Sequence, residues 1–550
     1  MSAKLRPVTL CIVLVVAMAC APSSPPGSAS PKPDSRSNIL LIVADDLGYT
    51  DLGSYGGDIE TPNLDFLASR GLQFSGFQTA PFCAVTRAML LSGNNNHIAG
   101  MGSQDLRAGM FGYEGELTDR IVPFPALLQE AGYHTYMAGK WHLGTRPEAN
   151  PKQKGFDRSF VLLEGAGNHY DDQGVFSDAP ISPYTEDGER ATWNKGAYST
   201  EFYTDKLISY IDENLGDGKP FFAFAAYTSP HWPLQVDPEY WKKYEGQYDD
   251  GYEKLKERRF ENLKRIGLIP SDAALPSSHS RVKPWETLSG EEKKTESRKM
   301  ELYAGMVDNL DFNIGRLFAY LKEVGEYDNT LIVFISDNGA AAEDFYRHEK
   351  FGPFIREHFT EDYESMGKPH SFVSYGPQWA EAGASPFKYF KAYTTQGGVS
   401  APMIVAGPGI EPGERVVHAF TTLMDLAPTF YETAGIAYPV RFQHKDVYPL
   451  KGRSLWPLLA GKSDAIHADD YVFALEHRGH VLIRQGNWKL VNTTLPLNPD
   501  NFELHDLSVD LAEQRDLKTA EPEKFREMLG EWEALKRETR LQIPTPEAAH

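Results

Sequence analysis

The chain predicts an α/β fold, a large mixed and mostly parallel sheet sandwiched by helices, with a small antiparallel sheet near the C-terminus. Three observations carry this. Aliphatic runs of strand length recur along the chain without polar alternation, the pattern of strands buried on both faces. Helical segments separate these runs, which is how parallel strands are connected. After about residue 465 the pattern changes to short, alternating strands at tight spacing.

The elements follow in order. Residues 38–43 (NILLIV) form the first buried strand, ended by Ala44-Asp45-Asp46. Residues 61–71 (TPNLDFLASRG) open on Thr-Pro and close on Gly, so they predict a short helix. Residues 124–132 (FPALLQEAG) repeat that logic, and a strand follows at 135–138. A further buried strand is expected at 221–227. The segment 301–325 spells a long amphipathic helix, with Leu302, Met306, Leu310, Ile314, Leu317 and Leu321 on one face. A strand at 330–335 runs into Ser336-Asp337-Asn338-Gly339, and 402–405 gives another. Near the C-terminus, 471–476, 480–484, 488–491 and 503–507 are short strands and 521–539 a terminal helix. The charged stretch 240–298 is expected to be helical and a solvated face. Residues 344–390, irregular and rich in aromatics and histidine, are expected to form a pocket wall or lid. The domain reading is a leader at 1–20, a Pro/Ser-rich tether at 21–37, a main domain at 38–465 and a C-terminal subdomain at 466–550.

With 550 residues, 41% of them hydrophobic, the chain can bury a large core. A net charge of −21 and the lack of a long basic cluster argue against nucleic acid as a partner. Three cysteines exclude a disulfide framework. Two of them, Cys11 and Cys20, lie in the leader, where Lys4 and Arg6 precede an apolar run at 10–16 too short to span a membrane. Ala17-Met18-Ala19-Cys20 has two readings: cleavage before Cys20 with lipidation of its thiol, or ordinary signal-peptidase cleavage. The tether that follows favours the lipid anchor. The expectation is export, to the periplasm or to a membrane as a lipoprotein anchored through Cys20.

The remaining cysteine, Cys83, sits in Phe82-Cys83-Ala84-Val85-Thr86-Arg87, and alone it either packs or reacts. Asp45-Asp46 and Asp337-Asn338 each follow a buried strand directly, where open α/β sheets place their ligands. Side by side, those strand ends bring three carboxylates and an amide together. Left uncompensated, the carboxylates ask for a cation, and hard oxygen donors favour Ca²⁺ or Mg²⁺ over zinc. Either pair alone reads better as turn capping, and it is the matching placement of the two that favours a metal. In Gly139-Lys140-Trp141-His142, an extended backbone puts Lys140 and His142 on the same side. His231 lies in Thr228-Ser229-Pro230-His231-Trp232-Pro233, beyond another strand. Lys391 opens Lys391-Ala392-Tyr393-Thr394-Thr395-Gln396-Gly397-Gly398, whose glycines permit close backbone approach.

Taken together, ADDLGY, TPNLDFLASRG, CAVTRAMLLSG, GKWHLG, SPHWP, SDNG and KAYTTQGG resemble the type I sulfatases of the alkaline-phosphatase superfamily, bacterial arylsulfatases most of all. The resemblance spans Asn38 to the C-terminal sheet. It implies that a formylglycine-generating enzyme oxidises Cys83 to formylglycine (3-oxoalanine), whose hydrate is the nucleophile. Asp45, Asp46, Asp337 and Asn338 would hold Ca²⁺, or Mg²⁺, together with the hydrate oxygen of residue 83. Arg87 would steady the hydrate, Lys140 and Lys391 would grip sulfate, His231 would contact sulfate near the leaving oxygen, and His142 would be the general base. The implied reaction is hydrolysis of a small aryl or alkyl sulfate ester to alcohol and sulfate. Val85 stands where the family's modification motif has Pro or Ala, and Ser400 where many members carry Arg. Two other readings use the same residues: a phosphodiester or phosphonate monoester hydrolase, and an exported protein that binds sulfate esters without cleaving them if Cys83 stays a thiol. Phe345, Tyr346, Phe351, Phe354, Phe359, Tyr363, Phe372, Tyr375 and Trp379 suit an apolar leaving group or simple packing of the lid.

Overall fold

A computed structural model describes residues 1–2 and 36–543, apart from 105, 194, 412 and 414. The rest of the leader, Cys20 included, and nearly all of the tether lie outside the described residues. Ten strands form the main sheet, in the order Arg415–Val417, Leu72–Phe74, Met403–Ala406, Thr330–Ser336, Asn38–Ala44, Phe221–Ala226, His134–Lys140, Arg158–Leu162, Tyr184–Glu186, Glu189–Ala191. The five from Thr330–Ser336 to Arg158–Leu162 are mutually parallel. Along Asn38–Ala44 the side chains of Leu40, Ile42 and Ala44 join one hydrophobic layer, and those of Ile39, Leu41 and Val43 the other. Both faces are covered, which is why the run is continuously aliphatic. Met403–Ala406 runs antiparallel to both of its neighbours, making the sheet mixed.

The long helix covering one face is Gly290–Glu323, and it starts well before residue 301. Ser289 and Glu292 form a reciprocal capping box there, while the first turns are too polar for apolar periodicity to reveal them. The predicted stripe from Leu302 to Leu321 is buried as expected. Each of its leucine, isoleucine and methionine side chains contributes roughly 1.5–3 kcal/mol by leaving water.

Two sequence expectations need correction. The stretch 240–298 is not simply a solvated face: helix Tyr252–Arg265 buries Leu255, Lys256, Arg259, Phe260 and Leu263. Arg259 reaches inward to Asp51 and to Asp58, at 2.7 Å from the latter, and Lys256 pairs with Glu381. A long helix needs one apolar stripe, and here the aliphatic stems of the basic residues widen it. The segment 344–390 contains helices Gly352–His358 and Gly376–Gly383, and Phe359, Phe372, Tyr375 and Trp379 are buried. Tyr375 stacks on Tyr303 with ring centroids 4.5 Å apart, so these aromatics pack the segment onto the body.

The C-terminal strands Val472–His477, His480–Gln485, Trp488–Asn492 and Glu503–Asp506 form the expected antiparallel sheet. Helix Pro522–Glu538 covers it through Met528, Trp532 and Leu535. Among the described residues, no helix is long and apolar enough to cross a membrane.

Candidate active site

Thr330–Ser336, Asn38–Ala44, Phe221–Ala226 and His134–Lys140 are consecutive parallel neighbours in the sheet. Ala44 registers with Ser336, Val43 with Ala226, and Ala226 with Gly139, so the four carboxyl ends share one rim. Asp337-Asn338, Asp45-Asp46, the turn to His231, and Lys140 with His142 leave from those ends. The backbone stitches them together. Asp337 N donates to Ala44 O at 3.1 Å, Asp45 N to Ser229 O at 3.1 Å and Tyr227 N to Val43 O at 3.0 Å.

The fifth contribution is helix Cys83–Ser92, buried along its whole length, with Cys83 as its first residue. Arg87 stands one turn on and therefore on the same face. Cys83 Sγ approaches Asp46 Oδ1 at 3.7 Å. Arg87 donates from Nε and Nη2 to Asp337 Oδ2 at 3.2 and 3.0 Å, and from Nη1 to the Lys140 carbonyl at 2.7 Å. The sixth is the Lys391 loop. Lys391 N donates to Ala340 O at 3.1 Å and Ala392 N to Pro81 O at 3.0 Å, joining the loop to both the SDNG turn and the Cys83 segment. A Cβ on Gly339 would lie 2.0 Å from the Gly397 carbonyl oxygen, so only glycine allows this backbone contact.

Asp46 (φ 66°), His142 (φ 58°) and Ala392 (φ 81°) all occupy the left-handed region without being glycine. Backbone strain of this kind persists only where surroundings impose it. It also corrects the expectation for Lys140 and His142: the strand ends at Lys140, and strand alternation does not extend to His142.

The acids are not uncompensated, contrary to the sequence expectation. Lys140 Nζ donates to both oxygens of Asp45 at 2.9 and 2.7 Å, Lys391 Nζ to Asp46 Oδ2 at 2.8 Å, and Arg87 pairs with Asp337. Burial opposes ionisation of Asp46, but Lys391, His231 and Lys140 outweigh it and hold the carboxyl well below its ordinary value. Burial, with Asp45 beside it, pushes the Asp337 carboxyl up to about 6 despite Arg87. Burial also depresses both histidines. His231 falls to about 3, with Asp46 opposing and Lys391 adding to the fall, and His142 falls well below its usual value under the charges of Lys140 and Arg87. His231 Nε2 lies 3.3 Å from Asp46 Oδ2 and 3.5 Å from Lys391 Nζ, and its Nδ1 is 2.8 Å from the Trp232 carbonyl. Burial, then Asp337, pushes the Cys83 thiol well above its ordinary pKa.

The residues fit a divalent cation. Ligand atoms of Asp45, Asp46, Cys83 and His231 all lie within 4.8 Å of one another. Asp46 N donates to Asp337 Oδ1 at 3.2 Å and Asn338 Nδ2 to Asp46 Oδ1 at 2.6 Å, which brings the second pair to the same place. Asn338 Oδ1 is buried without a donor, as suits a cation ligand. Carboxylate and amide oxygens are hard donors that suit Ca²⁺ or Mg²⁺. Two of the cations now pairing the acids, Lys140 and Lys391, are the lysines expected to receive sulfate.

Asp45, Asp46, Cys83, Arg87, Lys140, His231, Asp337, Asn338 and Lys391 are joined by direct contacts, while His142 is two residues beyond Lys140 with its Nδ1 buried and unpartnered. Three other groups escaped the sequence reading. Asp51, within the ADDLGYTDLG stretch, accepts from Gly48 N, Tyr303 and Arg259 and so braces the turn after Asp46. His169 Nε2 donates to the His231 carbonyl at 3.2 Å. Glu343, an acid emerging from a run of alanines, approaches Lys391 at 3.8 Å.

Comparisons with known proteins bear on the chain as a whole. Residues 37–436 match the family model described as Sulfatase. The chain is 38% identical over 523 residues to an uncharacterized sulfatase of Schizosaccharomyces pombe, covering 92% of this chain and 94% of that protein. It is 39% identical over 436 residues to an arylsulfatase of Klebsiella aerogenes, covering 78% of this chain and 93% of that one. The crystal structure of Ps i-CgsB in complex with k-i-k-neocarrahexaose matches with a TM-score of 0.66 at 25% identity, over 93% of this chain and 94% of that one. Shared sequence, fold and family model together mean that the chain belongs to the sulfatase family and is a sulfuric ester hydrolase.

Proposed function

We propose that the protein hydrolyses aryl or alkyl sulfate monoesters with residue 83, oxidised from cysteine to formylglycine, as the nucleophile. The observation that carries this is the seating of Cys83 at a helix start, 3.7 Å from Asp46 and one turn from Arg87. A thiol here is held protonated by burial and by Asp337, which makes it a poor nucleophile as it stands. The hydrated aldehyde supplies a hydroxyl for attack on sulfur and a second hydroxyl through which sulfate is later expelled.

Asp45, Asp46, Asp337 and Asn338 would hold a divalent cation, Ca²⁺ or Mg²⁺, which when bound stabilises negative charge on the sulfate oxygens. Lys140 and Lys391 neutralise the remaining charge and orient the ester. Arg87 holds Asp337 and steadies residue 83. His142, kept neutral by burial and by Lys140, is in the form a general base needs to take the proton from the residue 83 hydroxyl. Proton delivery to the departing alcohol falls to Lys391 and His231, whose Nζ and Nε2 lie 3.5 Å apart. Export, and anchoring through Cys20, belong to the same proposal.

The test is turnover of nitrophenyl sulfate against a nitrophenyl phosphodiester, with wild type and Cys83→Ala. The expected result is preference for the sulfate and loss of turnover in the variant. Retained sulfatase activity in Cys83→Ala, or a preference for the diester, would refute the proposal.

A further inference from the structure

A cavity of about 310 Å³ opens beside Lys391, walled by Arg281, Glu343, Tyr393, His480 and Leu495. These residues come from the 240–298 insertion, the loop after Asn338, the Lys391 loop and the C-terminal hairpin. Lys391 belongs both to this cavity and to the carboxylate cluster, since its Nζ contacts Asp46. An ester whose sulfate rests on Lys391 has this cavity next to it for its alcohol portion.

Among the described residues of the cavity wall, two side chains carry a buried polar atom without a partner, Glu343 at Oε2 and His480 at Nδ1, and Glu343 is the one beside Lys391. Glu343 Oε1 lies 3.8 Å from Lys391 Nζ, while Oε2 is sealed from solvent and receives no donor, although the side chain as a whole is 26% exposed. Its ion pair with Lys391 is long, and the exposed part of the carboxylate lines the cavity, where a bound molecule can donate to it. Arg281 shares the wall, and of its five N–H donors one goes to the Ala342 carbonyl at 3.3 Å. A hydroxyl group satisfies both neighbours at once, donating to the carboxylate and accepting from the guanidinium. Tyr393 and Leu495 supply apolar surface for the carbon frame that bears it.

We propose that Glu343 and Arg281 read a hydroxyl on the leaving alcohol, so that the preferred substrates are sulfate monoesters of hydroxyl-bearing alcohols such as vicinal diols and catechols. This rests on the sulfatase reading and on Lys391 receiving the sulfate. A site built around a buried hydrogen-bonding group rejects the analogue lacking its partner, because the group is then left unpaired. A simple phenyl or alkyl sulfate leaves Glu343 unmet.

The test compares catechol monosulfate with phenyl sulfate by kcat/KM from released sulfate, in wild type, Glu343→Leu and Glu343→Gln. Wild type should prefer the hydroxyl-bearing ester by about 10- to 100-fold. The preference should collapse to within about threefold in Glu343→Leu and survive in part in Glu343→Gln, which keeps an acceptor. An unchanged preference, or equal losses on both esters, would overturn the inference; equal losses would make Glu343 a mere support for Lys391. If Glu343→Leu fails to fold, product inhibition of wild type decides: catechol should bind at least about tenfold more tightly than phenol, and equal inhibition overturns the proposal. Wild type that cleaves neither ester, with residue 83 shown to be converted, sinks the sulfatase reading. Turnover of both without preference sinks only the reading of Glu343.

Discussion

The acids at the rim each have a basic partner: Asp45 has Lys140, Asp46 has Lys391 and Asp337 has Arg87. These pairs explain how so many charges stay buried, since an isolated buried charge is far more costly than a paired one. They also give Lys140 and Lys391 two duties, holding an acid and receiving the substrate anion. Lys140→Met should therefore lower kcat/KM for nitrophenyl sulfate by about 100- to 1,000-fold, the usual effect of removing one stabiliser of transition-state charge. Asp337→Asn should lower divalent-ion content as well as rate. Metal analysis of the purified variant checks this, and undiminished occupancy would remove Asp337 from the ligand set.

Turns and helices hold those residues at the rim, and the bracing comes from elements of quite different sequence character. His169 spans two of them, with Nδ1 2.6 Å from Ser199 Oγ and Nε2 3.2 Å from the His231 carbonyl. A neutral ring satisfies both contacts, and burial lowers its pKa from 6.5 to about 4. Between those values the unfolded chain binds the proton and the folded one does not, so stability falls as pH drops from 6.5 to about 4. The loss should approach roughly 3 kcal/mol over that window. Denaturant melts of His169→Asn should be flatter across it than those of wild type; identical pH slopes would contradict the assignment. Arg259, on helix Tyr252–Arg265, neutralises buried Asp51. Arg259→Ala should cost about 3–5 kcal/mol by leaving that carboxylate unpaired, measured by urea unfolding.

The same elements show what a sequence can disclose. The central strands were legible because burial on both faces leaves an uninterrupted aliphatic run, and the Asp and Asn after them because a polar stop follows that run at once. Leu72–Phe74, Tyr184–Glu186, Glu189–Ala191 and Arg415–Val417, of three residues each, are too short to show a period. The first turns of Gly290–Glu323 carry charge on every face, and Arg259 sits in a basic stretch that reads as solvated. Site residues with a motif around them were found. Asp51, His169 and Glu343 were not, because their roles depend on partners hundreds or tens of positions away.

Over the whole molecule, the main sheet supplies the chemistry and the C-terminal sheet buttresses it. Lys489 and Glu513 pair at 2.7 Å in full burial, and Glu513 Oε2 accepts from Gln396 N at 2.6 Å. Lys489 also donates to Gln396 Oε1 at 3.0 Å, and Thr394 Oγ1 to the Asn492 carbonyl at 3.3 Å. The Lys391 loop is thereby clamped between the two sheets. Glu513→Ala should cost about 3–5 kcal/mol by stranding Lys489, and should raise KM for sulfate esters as the loop loosens. An unchanged KM with the expected loss of stability would confine Glu513 to a structural role.

All of this chemistry converges on residue 83, and its oxidation state is the most direct measurement. In protein purified from its native host, mass spectrometry of the peptide containing residue 83 should find an aldehyde in place of the thiol, in a proportion that tracks specific activity. A thiol throughout, in enzyme that turns over sulfate esters at full rate, would contradict the account.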